Sequence, residues 1–275
     1  MWMMIRAVSQ AVHSFEVVFF RNLIGTLVLL PMLLHTPGLL RSDKIGSHLR
    51  RATSGFIATL ATFYAVAHAP LATVMSINYT APLFATLGAA LFLGERIRAR
   101  RVAAVAVGFI GMLIVLRPGS VPLTTGVLVS MVSAVSTAFS IVAIRALVAS
   151  DDSRAVTLWA FLLMLPPSLI AALFVWTWPP ASAWPLLIAI GVVAALGQLS
   201  LSRAFSLAEA SAILPYDFVR FGLITLGGVL IFGERYDALT LLGGAIILGS
   251  TIYLALREAK VARDARAASL PETPS

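Results

Sequence analysis

Apolar residues gather along this chain in long runs separated by short polar connections. Cutting at charges, prolines and glycines leaves nine such runs, approximately Phe15–Leu34, Ala52–Ala69, Ala72–Gly94, Val102–Leu116, Thr125–Ile144, Ala155–Trp176, Pro185–Leu201, Ala210–Gly233 and Leu239–Leu256. Most reach the roughly 17 to 25 residues with which an α-helix crosses a hydrocarbon core. The fourth is short and is expected to extend a turn into its flanks. Met1–Val12 is apolar but too short to span, and it fits the tail of an incomplete first helix. The pattern predicts an all-α integral membrane protein of ten helices with the first one truncated.

The same register occurs twice. Ile5-Arg6-Ala7-Val8 matches Ile144-Arg145-Ala146-Leu147 at an offset of 139 residues, and Leu91-Phe92-Leu93-Gly94-Glu95-Arg96 matches Leu230-Ile231-Phe232-Gly233-Glu234-Arg235 at the same offset. A shared offset over that distance predicts two five-helix units, 1–117 and 118–259, followed by a polar stretch 260–275 expected to be a disordered cytoplasmic tail. An odd number of helices per unit makes the second copy enter the membrane from the opposite side. Such inverted repeats are a hallmark of secondary transporters, whose substrate site lies near mid-membrane between the halves. The offset pairs Met1 with Ser140, whereas the matching helix of the second unit starts near Thr125, so Met1 is expected to lie inside the first helix.

Charge sets the expected orientation. If the connections alternate in sidedness, one side holds fifteen basic residues, at Arg41, Lys44, Arg50, Arg51, Arg96, Arg98, Arg100, Arg101, Arg145, Arg154, Arg203, Arg257, Lys260, Arg263 and Arg266. The other side holds Arg6, Arg117, Arg235 and an uncharged segment with Trp176, Trp178 and Trp184, as an outer interface belt would. The basic side, with the C-terminus, is therefore expected in the cytoplasm. The net charge of +8 is spread over these connections, which argues against a nucleic-acid partner. Charged residues are 12% of the chain and cysteine is absent, so thiolate metal sites, disulfides and cysteine nucleophiles are excluded. No GxxxxGK[ST] phosphate loop is present to support ATP hydrolysis.

With Ser14-Phe15-Glu16-Val17-Val18-Phe19-Phe20-Arg21-Asn22 opening a span, Tyr79-Thr80-Ala81-Pro82-Leu83-Phe84 within one, and two Gly-Glu-Arg closures, the chain resembles the EamA-type permeases of the drug/metabolite transporter superfamily over nearly its whole length. The resemblance implies a ten-helix carrier with both termini cytoplasmic, moving amino acids, nucleotide-like cofactors or other small metabolites. Its subgroup looks nearest to carriers of S-adenosylmethionine-type metabolites.

An ionisable side chain at the centre of a membrane helix costs about 2.5 to 3.5 kcal/mol on insertion scales, which makes each one a functional candidate. Arg21 could bind a substrate carboxylate or phosphate, or it could snorkel or pair with Asp217. Glu16 is expected at the interface. Asp217 and Arg220 are three apart and share a helix face, and Asp217 is the repeat partner of Asn78. Tyr79 and Tyr216 could wall a ligand site and hydrogen-bond at their tips, and Gln198 is a secondary candidate. The substrate-binding set expected from the sequence is therefore Arg21, Asn78, Tyr79, Tyr216, Asp217 and Arg220. Interhelical bonding is the alternative for the polar members. Glu95 and Glu234, each after a glycine, read as polar helix ends.

The expected function is secondary transport of a small polar metabolite by alternating access, without a catalytic residue, metal or cofactor. The bilayer and a coupling proton or sodium ion would be the other partners, and the expected location is the bacterial inner membrane. An integral membrane enzyme would need convergent histidines or a nucleophile with its base, yet His13, His35, His48 and His68 all fall near span ends. A non-transporting scaffold is a third class, with no soluble receiver domain to favour it.

Overall fold

The computed structural model describes residues 1–36, 38–85, 87, 99–117, 123–207 and 215–268, with side chains throughout except at 34, 99–101, 215–221, 255, 258–259 and 261–268. Its elements are α1 (Trp2–Val8), α2 (Ser14–His35), α3 (Ile45–His68), α4 (Leu71–Asn78), α5 (Ala99–Leu116), α6 (Thr125–Val148), α7 (Ser153–Leu173), α8 (Trp184–Leu207), α9 (Pro215–Phe232) and α10 (Ala238–Ala268), with no strand among the described residues. Four stretches are long and apolar enough to cross a membrane, Ser14–Leu33, Thr125–Val148, Ser153–Leu173 and Ala181–Leu207. Large apolar side chains such as Phe139, Ile170, Leu196 and Leu242 point outward, while Ser133, Thr157, Ser168, Ser202 and Thr251 are buried. That inversion of the water-soluble pattern suits a bundle solvated by lipid, where polar side chains turn inward to find partners.

Helix starts reproduce the repeat. Ser14 and Ser153, and Ile45 and Trp184, each stand 139 residues apart and each open a helix. Packing follows the same pseudo-twofold: α2 lies on α7 and α8 while α7 lies on α2 and α3, and α5 pairs with its own counterpart α10. Close approach in that last pair depends on missing side chains. A Cβ at Gly111 would sit 2.9 Å from the Gly243 carbonyl oxygen, and one at Gly243 would sit 2.7 Å from the Gly111 oxygen. Gly111→Leu is expected to force the two backbones apart at a cost of about 1–3 kcal/mol. The measurement is Tm of the purified protein in detergent, and an unchanged value would contradict the close contact.

Three expectations from the sequence need revision. Cutting at charges placed the second span at Ala52, but α3 begins at Ile45, so Arg50 and Arg51 lie within a helix. Successive residues are about 100° apart around the axis, and Arg50 is exposed while Arg51 is buried. Arg51 therefore leaves the count of basic residues expected in the cytoplasmic connections. The third span is not continuous. α4 stops at Asn78, a turn occupies 79–80, and helix resumes over 81–85. Pro82 explains the break, because its ring has no N–H and collides with the carbonyl four residues back, at Asn78. Finally, α10 runs on to Ala268, past Lys260 where disorder was expected to begin. Residues 257–268 are rich in Ala, Arg, Lys and Glu, which are strong helix formers.

Candidate functional site

A cavity of about 320 Å³ lies inside the bundle. Arg21 of α2, Arg51, Gly55 and Thr62 of α3, Asn78, Tyr79 and Pro82 at the α4 break line it from the first unit. Thr137 and Ser140 of α6, Phe161 and Met164 of α7, Gln198 of α8 and Thr251 of α10 line it from the second. Its size is at the lower end of the range for small-molecule sites. At 1.5 Å per residue, Arg21 sits about 10 Å from the start of α2 and Arg51 about 9 Å from the start of α3, at opposite ends of the bundle. The cavity thus occupies middle depths.

Local chemistry fixes each wall. At the helix break, the freed Tyr79 carbonyl accepts a hydrogen bond from the Thr251 hydroxyl at 3.1 Å, which ties α4 to the other unit. Irregular backbone at membrane depth persists where it is partnered or lines a cavity. Asn78 donates to the Val74 carbonyl at 3.0 Å and accepts from the Ser133 hydroxyl at 3.0 Å, so it also joins α4 to α6. The Arg21 guanidinium stands 4.8 Å over the Phe161 ring and donates to Asn22 Oδ1 at 2.6 Å. Phe161 occupies the groove left by Gly25, where a Cβ would collide with its ring. Gly55 does the same for Arg51: a Cβ there would lie 2.5 Å from Arg51 Nη1, 3.5 Å from Ser140 Oγ and 3.6 Å from Met164 Sδ.

Of the residues expected from the sequence, Arg21, Asn78 and Tyr79 meet at this cavity, with Gln198 beside them. The side chains of Tyr216, Asp217 and Arg220, on α9, lie outside the described residues. Arg51 was missed because it was counted as a loop charge. Glu16 differs too. Instead of lying at the interface it is fully buried, accepting hydrogen bonds from the His13 N–H at 3.1 Å and the Thr177 N–H at 2.7 Å. The first donor is the N-cap of α2, where a carboxylate is favoured, and the second lies in the segment after α7.

Both ends of the cavity are bounded by bonds between the units. At the end carrying Trp176 and Trp178, Arg6 Nη1 donates to the Val66 and Ala67 carbonyls, both at 2.8 Å, and Arg6 Nη2 lies 3.4 Å from Glu234. Glu234 also accepts the Leu71 N–H at 2.9 Å, which caps α4, and the Tyr236 hydroxyl. Gly233 makes this geometry available: it is left-handed, with φ +63, and ends α9 as the sequence expects. Arg117 pairs with Asp237 at the same end, and hydrogen bonds from Arg117 and Thr240 hold that carboxyl down at about 2. At the opposite end Asp151 accepts from Ser42 at 2.7 Å and pairs with His48 at 2.9 Å, and Lys44 donates to Ser150 at 2.7 Å. Burial raises the Asp151 pKa, but hydrogen bonds from Ser42, His48 and Ser150 outweigh it and hold the carboxyl below its ordinary value.

The EamA-like transporter family model matches residues 1–117 and 124–256. A riboflavin transporter of Vibrio cholerae is 32% identical over 258 residues, covering 92% of this chain and 86% of that protein. The pseudopaline exporter CntI of Pseudomonas aeruginosa is 33% identical over 256 residues, covering 91% and 89%. An S-adenosylmethionine uptake transporter of Rickettsia felis is 28% identical over 249 residues, covering 90% and 85%. A crystal structure with 20% sequence identity superposes with a TM-score of 0.65 over 93% of both chains, which supports the fold. The chain belongs to the EamA-like transporter family of the drug/metabolite transporter superfamily and is a multi-pass membrane permease for small metabolites.

Proposed function

We propose that the chain carries a small polar metabolite, of amino-acid or cofactor size, through the central cavity by alternating access. The observation that carries this reading is the position of the cavity: both repeat units wall it, at middle depth, beside a broken helix. Arg21, Asn78 and Tyr79 contact the solute from the first unit, and Tyr216, Asp217 and Arg220 of α9 from the second. Asp217 takes a substrate ammonium group or a coupling proton. The tryptophan-rich end faces outward and the C-terminus faces the cytoplasm of a bacterium, in its inner membrane.

The repeat supplies the alternation. Arg6 and Glu234 hold the tryptophan-rich end shut, and their repeat counterparts are Arg145 and Glu95. Arg145 makes no ion pair among the described residues and packs over the Phe205 ring at 5.3 Å. In the opposite state Arg145 and Glu95 close the cytoplasmic end while Arg6 and Glu234 separate. Proteoliposomes preloaded with riboflavin, S-adenosylmethionine or a dicarboxylate test the transport reading by counterflow. Accumulation of one labelled solute above protein-free vesicles is expected. No accumulation of any member of a broad metabolite panel would overturn it.

A further inference from the structure

Arg21 and Arg51 differ from every other arginine whose side chain is described. They are 7% and 4% exposed, and neither forms an ion pair among the described residues. Among the described residues the Arg51 guanidinium has no hydrogen-bond partner, and Arg21 has its neighbour Asn22 and the Phe161 face. No carboxylate occurs among the described lining residues of the cavity. Three buried side-chain atoms on that wall lack a partner, Arg21 Nε, Arg51 Nε and Gln198 Nε2, and all three are donors. A buried cation without a counter-charge is costly and is ordinarily paired or placed to meet an ion.

The repeat rules out a requirement of the fold for these charges. Their counterparts 139 residues on are Ala160 and Ile190, both apolar, so the second unit builds the equivalent helices without either arginine. Both charges also converge on one strip of α7. Arg21 covers Phe161, and Arg51 crosses Gly55 towards Met164, three residues further along the same helix. They are close enough for their charges to repel.

We propose that the cavity selects solutes carrying two negatively charged oxyanion groups, carboxylate or phosphate, with Arg21 taking one group and Arg51 the other. Planar guanidinium groups bind such oxyanions through paired N–H donors, and Gln198 donates a further hydrogen bond. A dianion cancels the repulsion between the arginines, which a neutral solute does not do and a cation makes worse. For movement of that solute the proposal rests on the transport reading above, but binding tests it separately.

The experiment uses the full chain purified in uncharged detergent with phosphatidylcholine as its only lipid, so that anionic headgroups are absent. Tm is measured at matched ionic strength with succinate, citrate, pyrophosphate, mannitol or putrescine. At saturation at least one of the three anions should raise Tm by about 4 °C or more, and mannitol and putrescine should not. Arg21→Gln and Arg51→Gln should each abolish the shift, and Arg50→Gln, on the exposed face, should keep it. Where a glutamine variant does not fold, Arg51→Lys keeps the charge, loses the paired donors and should weaken the anion at least tenfold. Addition of anionic lipid that removes the shift by competition would support the same oxyanion site. A shift with mannitol or putrescine alone, or an anion shift undiminished in both arginine variants, would overturn the proposal. Anion binding without counterflow of any solute would count against transport and leave this inference standing. Counterflow restricted to neutral or cationic solutes would do the reverse.

Discussion

Glu234→Ala is expected to open the tryptophan-rich end of the bundle. The substitution removes the Arg6 ion pair at 3.4 Å, the acceptor for the Leu71 N–H at 2.9 Å and the acceptor for Tyr236. Breaking one side of a buried ion pair costs about 3–5 kcal/mol when the remaining charge stays buried. Arg6 is part-exposed here, at 24% of its side chain, so the lower part of that range applies. Loss of the acidic cap at the start of α4 adds about 1 kcal/mol. These contacts join the units at one end only, so their loss shifts the population towards states open at that end. The chain contains no cysteine, so a single Thr137→Cys probe in the cavity reports the change. Its labelling by an impermeant thiol reagent applied from the Trp178 side should rise at least tenfold with Glu234→Ala. Equal labelling in both backgrounds would show that Glu234 does not hold this end closed.

Gly55→Leu should stop transport without unfolding the protein. A Cβ at position 55 already falls 2.5 Å from Arg51 Nη1, and the added isobutyl group would project into a cavity of only about 320 Å³. The side chain therefore displaces the Arg51 guanidinium and occupies solute space at once. The atoms nearest that Cβ are side-chain atoms of Arg51, Ser140 and Met164, not neighbouring backbone, so helix packing should survive. Counterflow should fall more than a hundredfold at equal expression and with Tm within a few degrees of wild type. Retention of more than half the wild-type rate would place the solute path elsewhere. Gly55→Ala, with one methyl group, should give an intermediate loss.

Much of the architecture was legible in the sequence, because lipid enforces long apolar runs and the repeat fixes their spacing. The starts of α2 and α7 and of α3 and α8 keep the 139-residue offset read from two short motifs. Those motifs carried more than register. Arg6 belongs to one and Glu234 to the other, and they meet as an ion pair between units. The separation of the motifs hid this, since sequence order says nothing about which half faces which. Arg51 was lost for a different reason. Hydropathy windows end at charges, and only the observed start of α3 at Ile45 shows that Arg51 turns inward while Arg50 turns out. Glu16 was misplaced because its partner, the Thr177 N–H, lies 161 residues away. The polarity of Asn78 at mid-depth was legible, whereas its bond to Ser133 depends on the contact of α4 with α6.

The central claim is that the solute crosses through the cavity between the two units. It is tested most directly by counterflow in proteoliposomes bearing one cysteine each, at Thr137→Cys on the cavity wall or Val132→Cys on the outer face, where Val132 is 51% exposed. Both variants sit on α6 less than two turns apart, so they share the same helix environment in all but direction. A bulky membrane-permeant thiol reagent should abolish flux through Thr137→Cys, excess solute should slow that modification, and the Val132→Cys protein should transport normally after labelling. Full flux through quantitatively labelled Thr137→Cys would contradict the account.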